Sequence, residues 1–157
     1  MSDIASQSSA TAAHLEPPPM DVAGPESLVT LTSLAASNVR ELVALAKASP
    51  DKFSYASSGN GGSPHLSAET FKIATGTKIL HVPYKGGGAA MTDLISGNVH
   101  LLFASVLETS AHIKAGKLKA LAITSKQRVS ALPDVPTLEE SGVTGAESGS
   151  WLGLLAP

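Results

Sequence analysis

With 157 residues, 43% of them hydrophobic and 15% charged, the chain is long enough for one well-packed domain, short for two, and too apolar to be disordered throughout. A formal net charge of −2 supplies no field that would draw it to nucleic acid or to an anionic membrane surface, so any anion site must be local. The absence of cysteine excludes disulfides and thiolate metal sites, and no apolar run is long enough to predict a transmembrane helix.

Residues 1–28 read as a disordered tail. A Ser/Ala-rich start followed by Pro17, Pro18 and Pro19 buries too little apolar surface to offset the entropy of ordering it. The start has neither the basic n-region nor the apolar h-region of a secretory signal peptide. The run Leu28-Val29-Thr30-Leu31-Thr32 predicts a strand. Asn38 and Glu41 then stand at capping-box spacing, before a helix that carries Leu42, Val43 and Ala46 on one stripe and stops at Ser49-Pro50.

A regular alternation follows. Phe53-Ser54-Tyr55-Ala56-Ser57 predicts a short strand, and Ser63 as N-cap with Pro64 at the first helical position predicts a helix. Its inner face is expected from Leu66, Phe71 and Ala74, and Gly76 ends it. A strand over 78–82, a loop over 83–88 and a helix over 89–96 come next, then a strand over 99–104, a helix over 108–115 and a strand over 118–124. This spacing predicts an α/β fold with a mostly parallel sheet covered by helices. Farther on, 132–137 reads as extended, 138–141 as a short helix stopped by Gly142, and 151–156 as apolar enough for a strand.

The strongest chemical signal is the loop Ser57-Ser58-Gly59-Asn60-Gly61-Gly62-Ser63. It leaves a strand and enters a helix, whose first N–H groups have no partners within the helix. Glycines let a ligand approach the backbone, and the helix dipole favours a carboxylate or phosphate there. The other reading is a plain strand-to-helix turn with glycine serving only geometry. The loop lacks the Lys-Ser/Thr ending of a P-loop and the spacing of a dinucleotide fingerprint, which argues against ATP and NAD.

A second loop repeats the pattern, with Tyr84 as an amphipathic wall, Lys85 as a cation or a merely solvated charge, and Gly86, Gly87 and Gly88 before a helix. If the two strands are neighbours, both loops open onto one crevice at the carboxyl ends of the strands. His65 sits in the first turn after the glycine loop, placed to donate to a ligand or to face solvent. His81 and His100 read as structural. No metal-ligand spacing, nucleophile elbow or acid–base pair appears, so neither an enzyme nor a cofactor is expected.

The stretch from Tyr55 to Leu66, YASSGNGGSPHL, and the later HVPYKGG from His81 to Gly87 resemble the tripartite tricarboxylate transporter substrate-binding receptors, also called Bug-type extracytoplasmic solute receptors. Met91-Thr92-Asp93-Leu94-Ile95-Ser96-Gly97, Gly116-Lys117-Leu118-Lys119-Ala120-Leu121-Ala122 and Leu132-Pro133-Asp134-Val135-Pro136-Thr137 extend the likeness. The resemblance implies a type II periplasmic-binding-protein-like fold, with two α/β lobes closing on a small mono-, di- or tricarboxylate. It also implies an exported, periplasmic receptor that feeds membrane transporter subunits. Carried over by position, the ligand-binding residues are Ser57, Ser58, Gly59, Asn60, Gly61, Gly62, Ser63, His65, Tyr84, Lys85, Gly86 and Gly87, with Ser105. Near Ala104 and Ser105 many relatives place an acidic residue that this sequence lacks.

Relatives are about twice as long. The chain is therefore expected to divide into a tail over 1–28, a partial first-lobe strand and helix over 29–52, a ligand-binding lobe over 53–125, and a return segment over 126–157 toward the missing first lobe, which leaves the two-lobed fold incomplete. On this reading half of the ligand clamp is absent and binding by the chain alone is weak. Two alternatives are a remnant lobe that pairs with itself or a partner through an exposed interlobe face, and a small enzyme using Ser58 or His65 on an anionic substrate.

Overall fold

The computed structural model describes residues 24–150. The expected tail up to residue 23 and the strand expected over 151–156 lie outside them. The elements run β1 (Gly24–Leu31), α1 (Val39–Ala48), β2 (Ser54–Ser57), α2 (Ser63–Thr75), β3 (Leu80–Pro83), α3 (Gly87–Ser96), β4 (Leu101–Ser105), α4 (Val106–Lys114), β5 (Leu118–Ile123) and β6 (Gly149–Ser150).

Five strands lie in the order β3-β2-β4-β1-β5, and β6 pairs with the first two residues of β1. β2 runs parallel to both β3 and β4, whereas β1 is antiparallel to β4 and β5. Four strands thus point one way and β1 runs against them. The sheet is mixed, with the expected parallel set and one reversed strand inside it.

Alternating side chains feed two core layers. Leu28, Tyr55, Leu101, Phe103 and Leu121 point to the side covered by α1 and α2, where they meet Val39, Leu42, Ala68 and Phe71. Val29, Ala56, Leu102, Ala104 and Leu118 point to the other side and meet Ala90, Met91 and Leu94 of α3. Val106, Ile123 and Leu132 form a smaller cluster.

Several expectations need correction. Residues 24–28, expected as part of the tail, belong to β1, because Glu26 and Ser27 are buried in the sheet beside β4 and β5. The stretch 29–52 is not set apart from 53–125: β1 is an interior strand of the same sheet, and α1 packs into the same core. A strand whose residues from Glu26 to Thr30 are all buried needs a neighbour on each side, and β4 and β5 supply them. In α2, Leu66 is 56% exposed and Ala74 is also exposed, so the inner face is Ser67, Ala68, Phe71 and Thr75. The segment 132–135 folds into a turn, and only Thr137 bridges Ile123. The helix expected over 138–141 is a single turn. Thr137 Oγ1 accepts from the Glu140 N–H, and Gly142 at φ +88° ends it. Leu138, Val143 and Ala146 of this return segment fill the core beside α1.

Candidate functional site

β2 and β3 end side by side, Ser57 opposite Pro83, and the Tyr84 N–H donates to the Ser57 carbonyl at 2.9 Å. The two glycine loops therefore open together at the carboxyl end of the parallel strands. Gly59 has φ +140° and Gly86 φ +120°, backbone that a side chain would strain. A Cβ at Gly59 would also lie 3.8 Å from the Tyr84 carbonyl.

Two amides of the first loop are used internally. The Gly59 N–H donates to Ser57 Oγ at 3.2 Å, and the Gly61 N–H to His65 Nδ1 at 2.9 Å. The amides of Ser58, Asn60, Gly62, Ser63 and His65 make no hydrogen bond to protein among the described residues. Helix α2 begins at Ser63 with Gly62 as N-cap and no side-chain cap, so its dipole end is open. Ser63 is consequently not the N-cap that its hydroxyl suggests, and Pro64 falls one position later than expected.

That hydroxyl is engaged elsewhere. Ser63 Oγ and Ser67 Oγ both donate to the carboxylate of Glu26, which is 1% exposed. The Glu26 backbone is tied to Thr124, and Thr124 Oγ1 donates to the Ser148 carbonyl at 2.7 Å. One buried carboxylate thus fastens the first turn of α2 to the place where three chain segments meet.

Ser57 is likewise bonded within the protein. It is 0% exposed, its hydroxyl donates to the Gly59 carbonyl, and it lies 2.7 Å from His81 Nε2. His65 is half-buried, and its Nδ1 accepts from the Gly61 N–H. Its ring stacks on His81 with centroids 4.2 Å apart, and His81 stacks on Tyr55 at 4.7 Å. Burial, with the nearby His65, lowers the pKa of His81. The Tyr55 hydroxyl, whose pKa burial and its bond to Glu69 raise, donates to that carboxylate beside Lys72. Burial pushes Glu69 upward, but the Lys72 and Tyr55 hydrogen bonds prevail and hold it below the usual range. The column braces the loop from beneath. His100, as expected, is structural, with Nδ1 accepting from the Ser54 N–H at 3.1 Å.

On the second loop, the Tyr84 hydroxyl donates to Asp93 at 2.6 Å, which raises the tyrosine pKa and lowers that of the carboxyl. Lys85 is exposed and makes no ion pair among the described residues. Ser105 is the N-cap of α4, accepting from the Glu108 N–H at 3.3 Å.

Between the loops lies a pocket of about 80 Å³. Ser58 and Pro64 form one wall, Gly87 and Met91 another, and Leu102, Phe103 and Ala104 the floor, with Glu108 at the side. Sequence reasoning missed Glu108. It looked like one carboxylate among scattered others, and only the fold brings the start of α4 beside that of α3. No group of His, Cys, Asp and Glu among the described residues could hold a metal ion.

A family model described as the tripartite tricarboxylate transporter family receptor matches residues 13–157. A UPF0065 protein of Agrobacterium vitis is 38% identical over 133 residues, covering 85% of this chain and 38% of that protein. The chain spans about two fifths of the length of the curated relatives it matches. Among solved structures, an R. palustris protein with adipate superposes with TM-score 0.80 at 36% identity, over 83% of this chain and 44% of that one. MatC of Rhodopseudomonas palustris with bound malate gives TM-score 0.77 at 25% identity, over 82% and 45%.

Proposed function

This chain belongs to the tripartite tricarboxylate transporter receptor family, and we propose that it binds a small carboxylate in the crevice between its two glycine loops. The observation that carries the reading is the set of amides of Ser58, Asn60, Gly62, Ser63 and His65 that make no hydrogen bond to protein among the described residues, in the loop whose Ser58 lines the pocket. Oriented N–H donors at an uncapped helix start favour a carboxylate oxygen in a low-charge surrounding. Ser58 is exposed and lines the pocket, and Lys85, exposed on the second loop, makes no ion pair among the described residues.

The chain acts as a receptor and not as an enzyme. The Ser57 hydroxyl beside His81 Nε2 is buried and donates to the Gly59 carbonyl, so this serine–histidine pair presents no exposed nucleophile. The related structures with adipate and malate support a dicarboxylate as ligand. Family membership supports a periplasmic setting and delivery to membrane subunits. No helix among the described residues is long and apolar enough to cross a membrane. Tested as this chain alone, the two loops should bind weakly, since desolvation and ordering costs are met by few contacts.

The test is a titration of the isotope-labelled chain followed by amide NMR. Adipate or malate should shift the Gly59, Gly61 and Gly62 signals, while chloride at equal ionic strength should not. Unmoved signals at millimolar ligand refute the reading. Self-association is a second reading, favoured by Leu66 and Ile73, which stand 56% and 82% exposed two turns apart on α2. Light scattering that shows only monomer at high concentration refutes it.

A further inference from the structure

The pocket contains one feature that does not follow from anion binding: a carboxylate in its wall. Glu108 Oε1 comes so close to the start of α3 that a Cβ on Gly87 would lie 3.2 Å from it. Its other oxygen, Oε2, accepts from the Ser105 hydroxyl at 3.1 Å. No cationic side chain pairs with it among the described residues. Glu108 and Ser58 are the polar side chains of the lining; the remainder is glycine, proline or apolar.

The two ends of the crevice therefore differ. The α2 end presents unpaired N–H groups and the Ser58 hydroxyl. At the α3 end, the chain's own carboxylate already faces the helix start. A second ligand carboxylate placed there meets like charge, whereas a hydroxyl or ammonium group meets a ready acceptor. With the remaining walls apolar, little else in the pocket is available to satisfy a ligand donor.

We propose that Glu108 is a specificity-determining residue that selects acids carrying their own hydrogen-bond donor, the 2-hydroxy and 2-amino acids, over unsubstituted dicarboxylates. This rests on the carboxylate-receptor reading and narrows its ligand class. Glycine at position 87 is part of the same device, because a side chain there would crowd the carboxylate. Ser105 is a positioning residue, holding Oε2 so that Oε1 faces the pocket.

The experiment uses the whole chain and three acids with the same carbon skeleton: succinate, L-malate and L-aspartate. Amide NMR gives dissociation constants for the wild type and for Glu108→Gln, an exposed substitution whose fold is checked by signal dispersion. In the wild type, malate and aspartate should bind about tenfold more tightly than succinate, since a charged acceptor rewards a donor and opposes an anion. In Glu108→Gln, succinate should gain and aspartate lose until that ranking collapses, with malate the least changed because the amide oxygen still accepts. Equal affinity for the three acids in the wild type, or a ranking unchanged in the variant, overturns the proposal while leaving the receptor reading intact. If none of the acids moves the Gly59 to Gly62 signals in either protein, both fall together.

Discussion

Glu26 offers the sharpest test of how this fold is held together. Its carboxylate is buried without a cationic partner among the described residues and is satisfied by the hydroxyls of Ser63 and Ser67. Glu26→Ala removes two hydrogen bonds to a charged acceptor, each contributing about 1.5–3 kcal/mol, and leaves the fully buried Ser67 hydroxyl unpaired. Against this, the substitution also relieves the desolvation of a buried carboxylate, a penalty of several kcal/mol for an unpaired ion. The net expectation is a loss of about 3 kcal/mol, at the lower end of the two-bond sum. Glu26→Gln keeps the shape and one acceptor, and a serine hydroxyl can turn to accept from the new amide, so its loss should be about 1 kcal/mol. In urea, with a slope of about 2 kcal/mol/M, these correspond to midpoint shifts of roughly 1.5 M and 0.5 M. A cycle with Ser67→Ala should return a coupling of about 1–2 kcal/mol. If Glu26→Ala lies within about 0.5 kcal/mol of wild type, or the two substitutions add without coupling, the reasoning is refuted.

Burial lowers the pKa of His81 and His100 from 6.5, so on acidification the unfolded chain takes up protons before the folded one. Stability should be fully present above 6.5 and decline as pH falls below it until the lowered folded values are passed, with a smaller slope in His81→Asn; a flat Tm across that window contradicts this. Gly59→Ala forces a side chain to φ +140° and should cost about 1–3 kcal/mol by thermal unfolding and weaken carboxylate binding. Gly88→Ala is its control, placed in α3 with nothing within 4 Å of the new Cβ, and should be neutral or stabilising by up to about 1 kcal/mol. Asn38→Ala removes the acceptor for the Glu41 N–H at 2.9 Å and should cost about 1 kcal/mol in the same assay.

What could be read without coordinates was local in origin. Asn38 and Glu41 are three residues apart, and the helix they begin needs nothing from the rest of the chain to be recognised. The structure adds that Glu41 Oε2 accepts from the Ser37 N–H, one residue farther back than a capping box requires, and that Asn38 Nδ2 donates to Glu41 Oε1. Gly76 and Gly97 close their helices in the left-handed conformation for reasons that a single residue carries. The glycine loops were visible in the same way, because loss of side chains before a helix start is a property of neighbouring residues.

Misread positions depended on partners far along the chain. Ser63 looked like a cap because its nearest neighbours form a helix, yet its hydroxyl belongs to Glu26, 37 residues away. Leu66 looked like an inner-face residue because leucine usually is one, but the turn it occupies faces solvent while Ser67 faces the buried carboxylate. The sequence alone determined the alternation of strands and helices and the positions of the two open loops, since periodicity and glycine act within a few residues. Tertiary structure decided that β1 runs backwards through the sheet, that Glu26 ties the start of α2 to β1, and that Glu108 enters the pocket. Those outcomes depend on which strands become neighbours, and that is set by the summed burial of distant segments, a quantity no short window of residues contains.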